Sequence, residues 1–314
     1  MSSGGIAADI RDGCILSELR MASQKNEMNE TTISVQTNLA EEGQTAGSRI
    51  FKERRSQPRR QQICRILGIN FFTGNAQQAV DQMRGGGLLV VPAAPALKDL
   101  PVNTAYREAL LGADMVIPDS GFMVLIWNLM RFRLDLRRLS GLEYLRLLLK
   151  QSDVRAPGNT LWVMASPRSS TLNLKWLVDK GVRVRQDSVY IAPMYGSPLN
   201  DPALLELMEI QRPEHVIVTV GGGTQERLGF YLKQNLTYAP AIHCIGAAIA
   251  FLSGDQVHIP EWADTFYLGW LLRCIAEPMR YVPRYWRARK LLGLMLKHRG
   301  ELPPLETGTE THSG

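Results

Sequence analysis

Cysteine is scarce. The chain holds four in 314 residues (Cys14, Cys64, Cys244, Cys274), none in CxxC spacing and none beside paired histidines. This pattern excludes a disulfide framework and a cysteine-ligated zinc site, and makes a reducing compartment the expectation. No apolar run approaches the roughly 18 residues that span a bilayer. Residues 1–8 are small and polar, with Asp9 and Asp12 soon after, so no secretory leader is expected there. Together these absences predict a cytoplasmic protein that meets a membrane, if at all, from the side. The glycine fingerprint GxGxxG, the phosphate loop GxxxxGK[ST] and the nucleophile elbow GxSxG are also missing. His215, His243 and His258 lack metal-ligand spacing, and no DxD cluster is present. The expectation is therefore no metal and no cofactor. His243 reads as a core or hydrogen-bonding histidine.

What is present is a chain that is 45% hydrophobic, long enough for one large or two small domains, with a formal charge of +6. That charge favours an anionic partner: an acidic membrane surface, a phosphorylated substrate or nucleic acid. Residues 1–62 carry one aromatic, Phe51, and many Ser, Thr, Glu, Gln and Asn, and read as a disordered segment. They end in the basic run Lys52–Arg60, either a solvated linker or an anion-contacting arm. From 63 to 261 short apolar segments alternate with helical ones. Strands are expected at Arg65–Phe72, Leu88–Val91, Met115–Ile117, Thr160–Met164, Asp187–Ala192, His215–Val220 and Ala241–Ile245. Helices are expected at Asn75–Met83, Asn103–Leu111, Phe122–Met130, Leu142–Gln151, Ser166–Lys180, Asp201–Ile210 and from Thr224 to about Asn235. This alternation predicts an α/β fold with a doubly wound, mostly parallel, Rossmann-like sheet.

Ala113–Gly121 organises the rest. Met115, Val116 and Ile117 make a short buried strand, Pro118 stops it, and Asp119-Ser120-Gly121 turn into a helix. A carboxylate thus stands where a strand hands over to a helix, at the edge where ligands of open α/β sheets bind. Asp119 reads either as a helix N-cap or as a chemical group facing a pocket. The turn Gly221-Gly222-Gly223 lies between another strand and helix, where bare backbone amides suit a phosphate, although a plain tight turn has the same look. Gln225 can hydrogen-bond a sugar or base, and Glu226 can equally complete a helix cap. Ser166-Pro-Arg-Ser-Ser170 reads as a helix start.

Residues 262–300 differ in character. Between Arg273 and Arg299 stand eight Lys or Arg and one acid, Glu277, interleaved with Tyr281, Tyr285 and Trp286 and followed by Leu291, Leu292 and Leu294–Leu296. The segment is either a helix lying in a membrane interface or a packed helical subdomain with a basic face. Its basic residues flank leucine-rich stretches rather than a nucleic-acid-binding module, so no nucleic acid is expected. Residues 301–314 read as a polar tail.

Several motifs then occur in order: Pro118-Asp-Ser-Gly121; Arg138-Leu-Ser-Gly141; Gly223-Thr-Gln-Glu226; Gly246 with Phe251 and Gly254; and Trp270-Leu-Leu-Arg273, Glu277-Pro-Met-Arg280 and Arg284-Tyr285. Over about residues 64–290 the chain resembles the WecG/TagA/CpsF glycosyltransferase family, the last motif being the most specific. The resemblance implies an inverting, metal-independent transfer of a sugar, of N-acetylmannosamine type or a hexose. The donor would be a UDP-sugar and the acceptor a polyprenyl-diphosphate-linked glycan, in cell-surface or exopolysaccharide synthesis. It implies a peripheral enzyme on the inner face of the membrane. It puts the general base on Asp119, substrate contacts on Arg138, Gln225, Glu226 and Gly246, and charge stabilisation on Arg273, Arg280 and Arg284. A homo-oligomer is compatible with it. The chain departs from the family at Pro92-Ala-Ala-Pro95, where an Asn is usual, at Ala250, where an Asp is common, and at His258-Ile-Pro260. These departures motivate the alternative of a non-catalytic nucleotide-sugar-binding or assembly protein on the same fold.

Overall fold

The computed structural model describes residues 63–132, 136–246, 248–254, 274–275 and 278–306, without the side chains of 280, 281, 284, 285, 287 and 288. The expected disordered segment, the basic run 52–60, Trp270, Arg273 and Glu277 lie outside the described residues.

In chain order the strands are β1 (Ile63–Ile66), β2 (Ile69–Phe72), β3 (Gly87–Val90), β4 (Met115–Val116), β5 (Thr160–Met164), β6 (Val189–Ile191), β7 (His215–Val218) and β8 (Ala241–Cys244). The helices are α1 (Ala76–Met83), α2 (Ala94–Leu97), α3 (Thr104–Leu111), α4 (Gly121–Arg131), α5 (Gly141–Leu148), α6 (Ser152–Arg155), α7 (Pro167–Asp179), α8 (Pro202–Gln211), α9 (Thr224–Asn235), α10 (Ala248–Ser253) and α11 (Pro278–His298). One eight-stranded sheet runs in the order β1-β2-β4-β3-β8-β7-β5-β6. Every neighbouring pair is parallel except β1–β2. The α/β reading holds.

The central strands are buried on both faces, as parallel strands under two helical layers must be. On one face Leu88, Val90, Leu161, Val163, Val216 and Val218 meet residues of α3, α8 and α9, such as Tyr106, Leu204 and Leu228. On the other, Leu89, Trp162, Met164 and Ile217 meet α1, α5 and α7 through Val80, Leu145 and Leu177. Alternate residues therefore serve opposite cores, which is the period-2 rule of a strand. Gly229 in α9 is needed for the closest approach. A Cβ there would lie 2.5 Å from Cys244 Sγ and 2.6 Å from Leu88 Cδ1.

The sequence reading expected a single strand over Arg65–Phe72. The structure instead folds these residues into an antiparallel hairpin with Ile66 opposite Ile69. Leu67 and Gly68 both take positive φ, 49° and 77°, the geometry of a type I′ turn whose twist matches the strands it joins. The chain's end secures that turn. Leu67 N–H donates to Arg299 O at 2.7 Å and Gly68 N–H to Gly300 O at 3.0 Å. Residues 301–306, assigned to a polar tail above, continue along the body: Pro303 is buried and Glu306 N–H donates to Pro101 O at 2.9 Å.

Helix α11 packs against α2 and α4. It buries Leu291 and Met295, one turn apart on one face. Among the described residues no helix is long and apolar enough to cross a membrane.

Candidate active site

The ends of β3, β4, β7 and β8 meet at one edge of the sheet. Ile117 N–H donates to Val90 O at 3.1 Å, joining the exits of β4 and β3. A Cβ on Gly141 would lie 3.4 Å from the Val91 side chain and 3.8 Å from Ile245 O, and one on Gly222 would lie 3.8 Å from Ala93 Cβ. The structure thus brings together Asp119, Arg138, Gly221–Gly223, Gln225, Glu226 and Gly246, which the sequence spreads over 128 residues.

Asp119 does not cap the helix that follows it. Ser120 does, its hydroxyl accepting from Met123 N–H at 3.2 Å. The Asp119 carboxylate turns instead to α5. Its Oδ1 accepts from Gly141 N–H at 3.2 Å and from Arg138 Nη2 at 2.7 Å. Arg138 Nε also donates to the Asp119 backbone carbonyl, and Leu139 N–H donates to Pro118 O at 3.2 Å. The helix N-terminus and the guanidinium both favour the carboxylate where it is. Its side chain is 35% exposed while that of Arg138 is 13% exposed. The acid therefore presents to solvent and the arginine sits behind it. Arg138, expected to touch substrate, is engaged with Asp119.

The glycine turn is partly committed as well. Gly223, at φ 89°, ends it, and its N–H donates to Glu226 Oε2 at 2.6 Å. Thr224 and Gln225 N–H both donate to Gly221 O. Glu226 thus caps its own helix, one of the two roles expected of it. It is fully buried, and burial pushes its carboxyl up to about 7. Gln225 Nε2 donates to Glu226 Oε1 at 3.3 Å, while Gln225 Oε1 is buried without a partner. That orphaned amide oxygen lies beside Gly246, where a Cβ would come within 3.4 Å of it. A buried acceptor lacking a donor is unusual and marks this corner as receptive to a ligand's N–H or O–H.

The three arginines expected to act on charge are not placed by their side chains. Arg273 lies outside the described residues. Arg280 and Arg284 stand in α11, four residues apart in sequence. The helix leans on α2, whose first residue follows Ala93 at the rim near Gly222.

His243 is a buried, hydrogen-bonding histidine, as expected, and the structure adds the network around it. His243 Nδ1 shares a hydrogen bond with Tyr144 OH at 2.8 Å, and His243 Nε2 with His215 Nδ1 at 3.2 Å. His215 Nε2 in turn lies 3.5 Å from Asp153 Oδ2. Burial lowers the pKa of both histidines, most strongly for His243, so both stay neutral near pH 7. The network ties α5, whose first amide holds Asp119, to β7 and β8. At the opposite edge of the sheet a cavity of about 390 Å³ opens beside Gly85–Gly87, Asp114 and Lys233. Its two charges are paired with each other at 2.7 Å.

The family model described as the glycosyl transferase WecG/TagA/CpsF family matches residues 64–302. No curated protein matches the chain.

Proposed function

The chain belongs to the WecG/TagA/CpsF glycosyltransferase family, and on that premise we propose that it transfers a sugar from a UDP-sugar to a polyprenyl-diphosphate-linked glycan with inversion and without a metal. The observation that carries this reading is the Asp119 carboxylate, partly exposed at the end of β4 and fixed by Arg138 and Gly141 N–H. A general base must be held in one orientation and remain reachable by the proton it accepts. Asp119 accepts the proton of an acceptor hydroxyl as that oxygen attacks the anomeric carbon. The bond from that carbon to the diphosphate breaks, and UDP leaves with the electron pair.

The leaving diphosphate needs positive charge. Arg273, Arg280 and Arg284 supply it, their planar guanidinium groups suiting phosphate oxygens. Gly221 and Gly222 contribute backbone amides, that of Gly223 being already committed to Glu226. Gln225, with its unpartnered oxygen beside Gly246, contacts a donor N–H or hydroxyl. The product is a glycan of a cell-surface or exopolysaccharide pathway. The enzyme works at the inner face of the membrane, with residues 262–300 seated on anionic lipid.

Asp119→Asn tests the base. The amide oxygen can still accept from Gly141 N–H and Arg138, so the site stays assembled while the proton acceptor is lost. Transfer from UDP-sugars to a short polyprenyl-diphosphate-sugar, followed by mass spectrometry, should fall about 10²- to 10⁴-fold. A folded Asp119→Asn protein with transfer near that of the unaltered protein would show that the base lies elsewhere.

A further inference from the structure

Helix α4 starts at the candidate site and ends in an exposed apolar stripe. Leu125, Leu129 and Phe132 are 51%, 69% and 93% exposed, at positions i, i+4 and i+7. The opposite side of the helix buries Met123, Val124 and Trp127. The stripe is therefore a second apolar face on a helix already buried, and packing among the described residues does not account for it. Phe132 is the left-handed C-cap just past the end of the helix, φ 50°.

Helix α11 lies against α4 and carries a matching stripe. Met279, Val282, Trp286 and Leu296 are exposed by 91%, 47%, 64% and 55%, with Arg289 and Gly293 completing the three-four spacing. At 100° per residue this stripe sits about half a turn from the buried pair Leu291 and Met295. The Arg289 guanidinium lies 4.3 Å from the Trp286 ring centre. The charge pattern is one-sided. Residues 121–132 and 278–298 contain no Asp or Glu, while Arg131, Arg289, Lys290 and Lys297 are all exposed. Apolar side chains rimmed by cations, with no acid, complement an anionic lipid surface better than they complement another protein face.

We infer that the Leu125-Leu129-Phe132 stripe of α4 is a lipid-contacting element in its own right, docking on an anionic bilayer together with α11. The inference rests on the membrane reading of the C-terminal segment and adds to it a contact within the α/β body. Because α4 begins next to Asp119, lipid contact by its far end fixes how the candidate site stands relative to the headgroups.

The test uses the full-length protein and sedimentation with vesicles of mixed phosphatidylglycerol and phosphatidylcholine. Leu125→Ser/Leu129→Ser/Phe132→Ser should bind about tenfold or more weakly, since these groups no longer enter the apolar phase. Thermal melting and oligomeric mass by light scattering should not change. Phe132→Asn alone, which suits left-handed backbone, should show a smaller loss in the same direction and covers the case in which the triple variant does not fold. If the α4 variants bind as the unaltered protein does while Trp286→Ser/Leu296→Ser fails, α4 makes no lipid contact and this inference is wrong, though the membrane reading of α11 stands. If the unaltered protein ignores the vesicles, both fall. If the α4 substitutions change oligomeric mass and leave vesicle binding intact, the stripe joins copies of the chain and the inference is overturned.

Discussion

Replacing Glu226 by Gln should flatten part of the dependence of stability on pH, in a direction that burial dictates. The folded carboxyl is pushed up to about 7 from the ordinary 4.5, because burial penalises its charged form. Below about pH 4.5 the group is protonated in both folded and unfolded chains and costs nothing. As pH rises through 4.5 to 7 the unfolded chain ionises while the folded one resists, so stability is lost over that window. A rise from 4.5 to about 7 amounts to roughly 3.5 kcal/mol at about 1.4 kcal/mol per tenfold change, about 2.5 kcal/mol of it falling between pH 5 and 8. Gln at this position stays neutral and can still accept from Gly223 N–H, so it escapes the loss. His215 and His243 act in the opposite sense. Their lowered pKa values mean that stability falls as pH drops below about 6.5, where the unfolded histidines take up protons. Both proteins carry these histidines, so the difference between them isolates Glu226. Urea titrations at pH 5, 6, 7 and 8 should show Glu226→Gln gaining on the unaltered protein by about 2–3 kcal/mol across the series, on the order of 1 M in midpoint. A constant difference at all four pH values would refute the reasoning, and with it the view that this carboxyl is strained by burial.

Two further substitutions probe the scaffold under the site. Gly229→Ala places a methyl 2.5 Å from Cys244 Sγ and 2.6 Å from Leu88 Cδ1, both fully buried, and should cost about 1–3 kcal/mol through overpacking. Calorimetry should find the melting temperature lowered by roughly 2–10 °C, and no change would mean that α9 can shift off the sheet. Tyr144→Phe leaves His243 Nδ1 without its partner in the core and should cost about 1–3 kcal/mol in urea unfolding. A neutral outcome would mean that the ring finds a substitute donor or acceptor.

How far the sequence discloses this molecule depends on whether a feature is local. Leu88–Val90 and His215–Val218 are legible as strands because apolar and β-branched residues crowd into short runs, and a strand buried on both faces needs nothing else. The β1–β2 hairpin is hidden because leucine stands at a left-handed position normally given to Gly, Asn or Asp, so Leu67-Gly68 carries only half of the usual turn signature. Asp119 is legible as a carboxylate at a strand end. Its true helix partner is not, because Gly141 lies 22 residues on and only the fold brings that amide to it. The histidine network is hidden for a related reason. His215 and His243 meet because β8 lies beside β7, and strand order is a property of the whole sheet that no local period encodes. The commitment of Gly223 N–H to Glu226 illustrates the opposite case. A three-residue spacing announced it, but a phosphate turn would have had the same spacing.

Asp119 and Ser120 are neighbours in sequence, yet each begins a different helix, Ser120 starting α4 and Asp119 closing over the first amide of α5. The carboxylate is in effect surveyed from two independent landmarks, and its coordinates are the point where their bearings cross. Such a group cannot drift alone: a shift of α5, or an insertion in the loop carrying Arg138, moves it as surely as a substitution at 119 would. Chemistry that depends on distances of about 3 Å is degraded a hundredfold by errors near 1 Å. Whatever reaction Asp119 serves, variation in this protein should therefore be tolerated least not only at the acid but along residues 138–141, which define where the acid is.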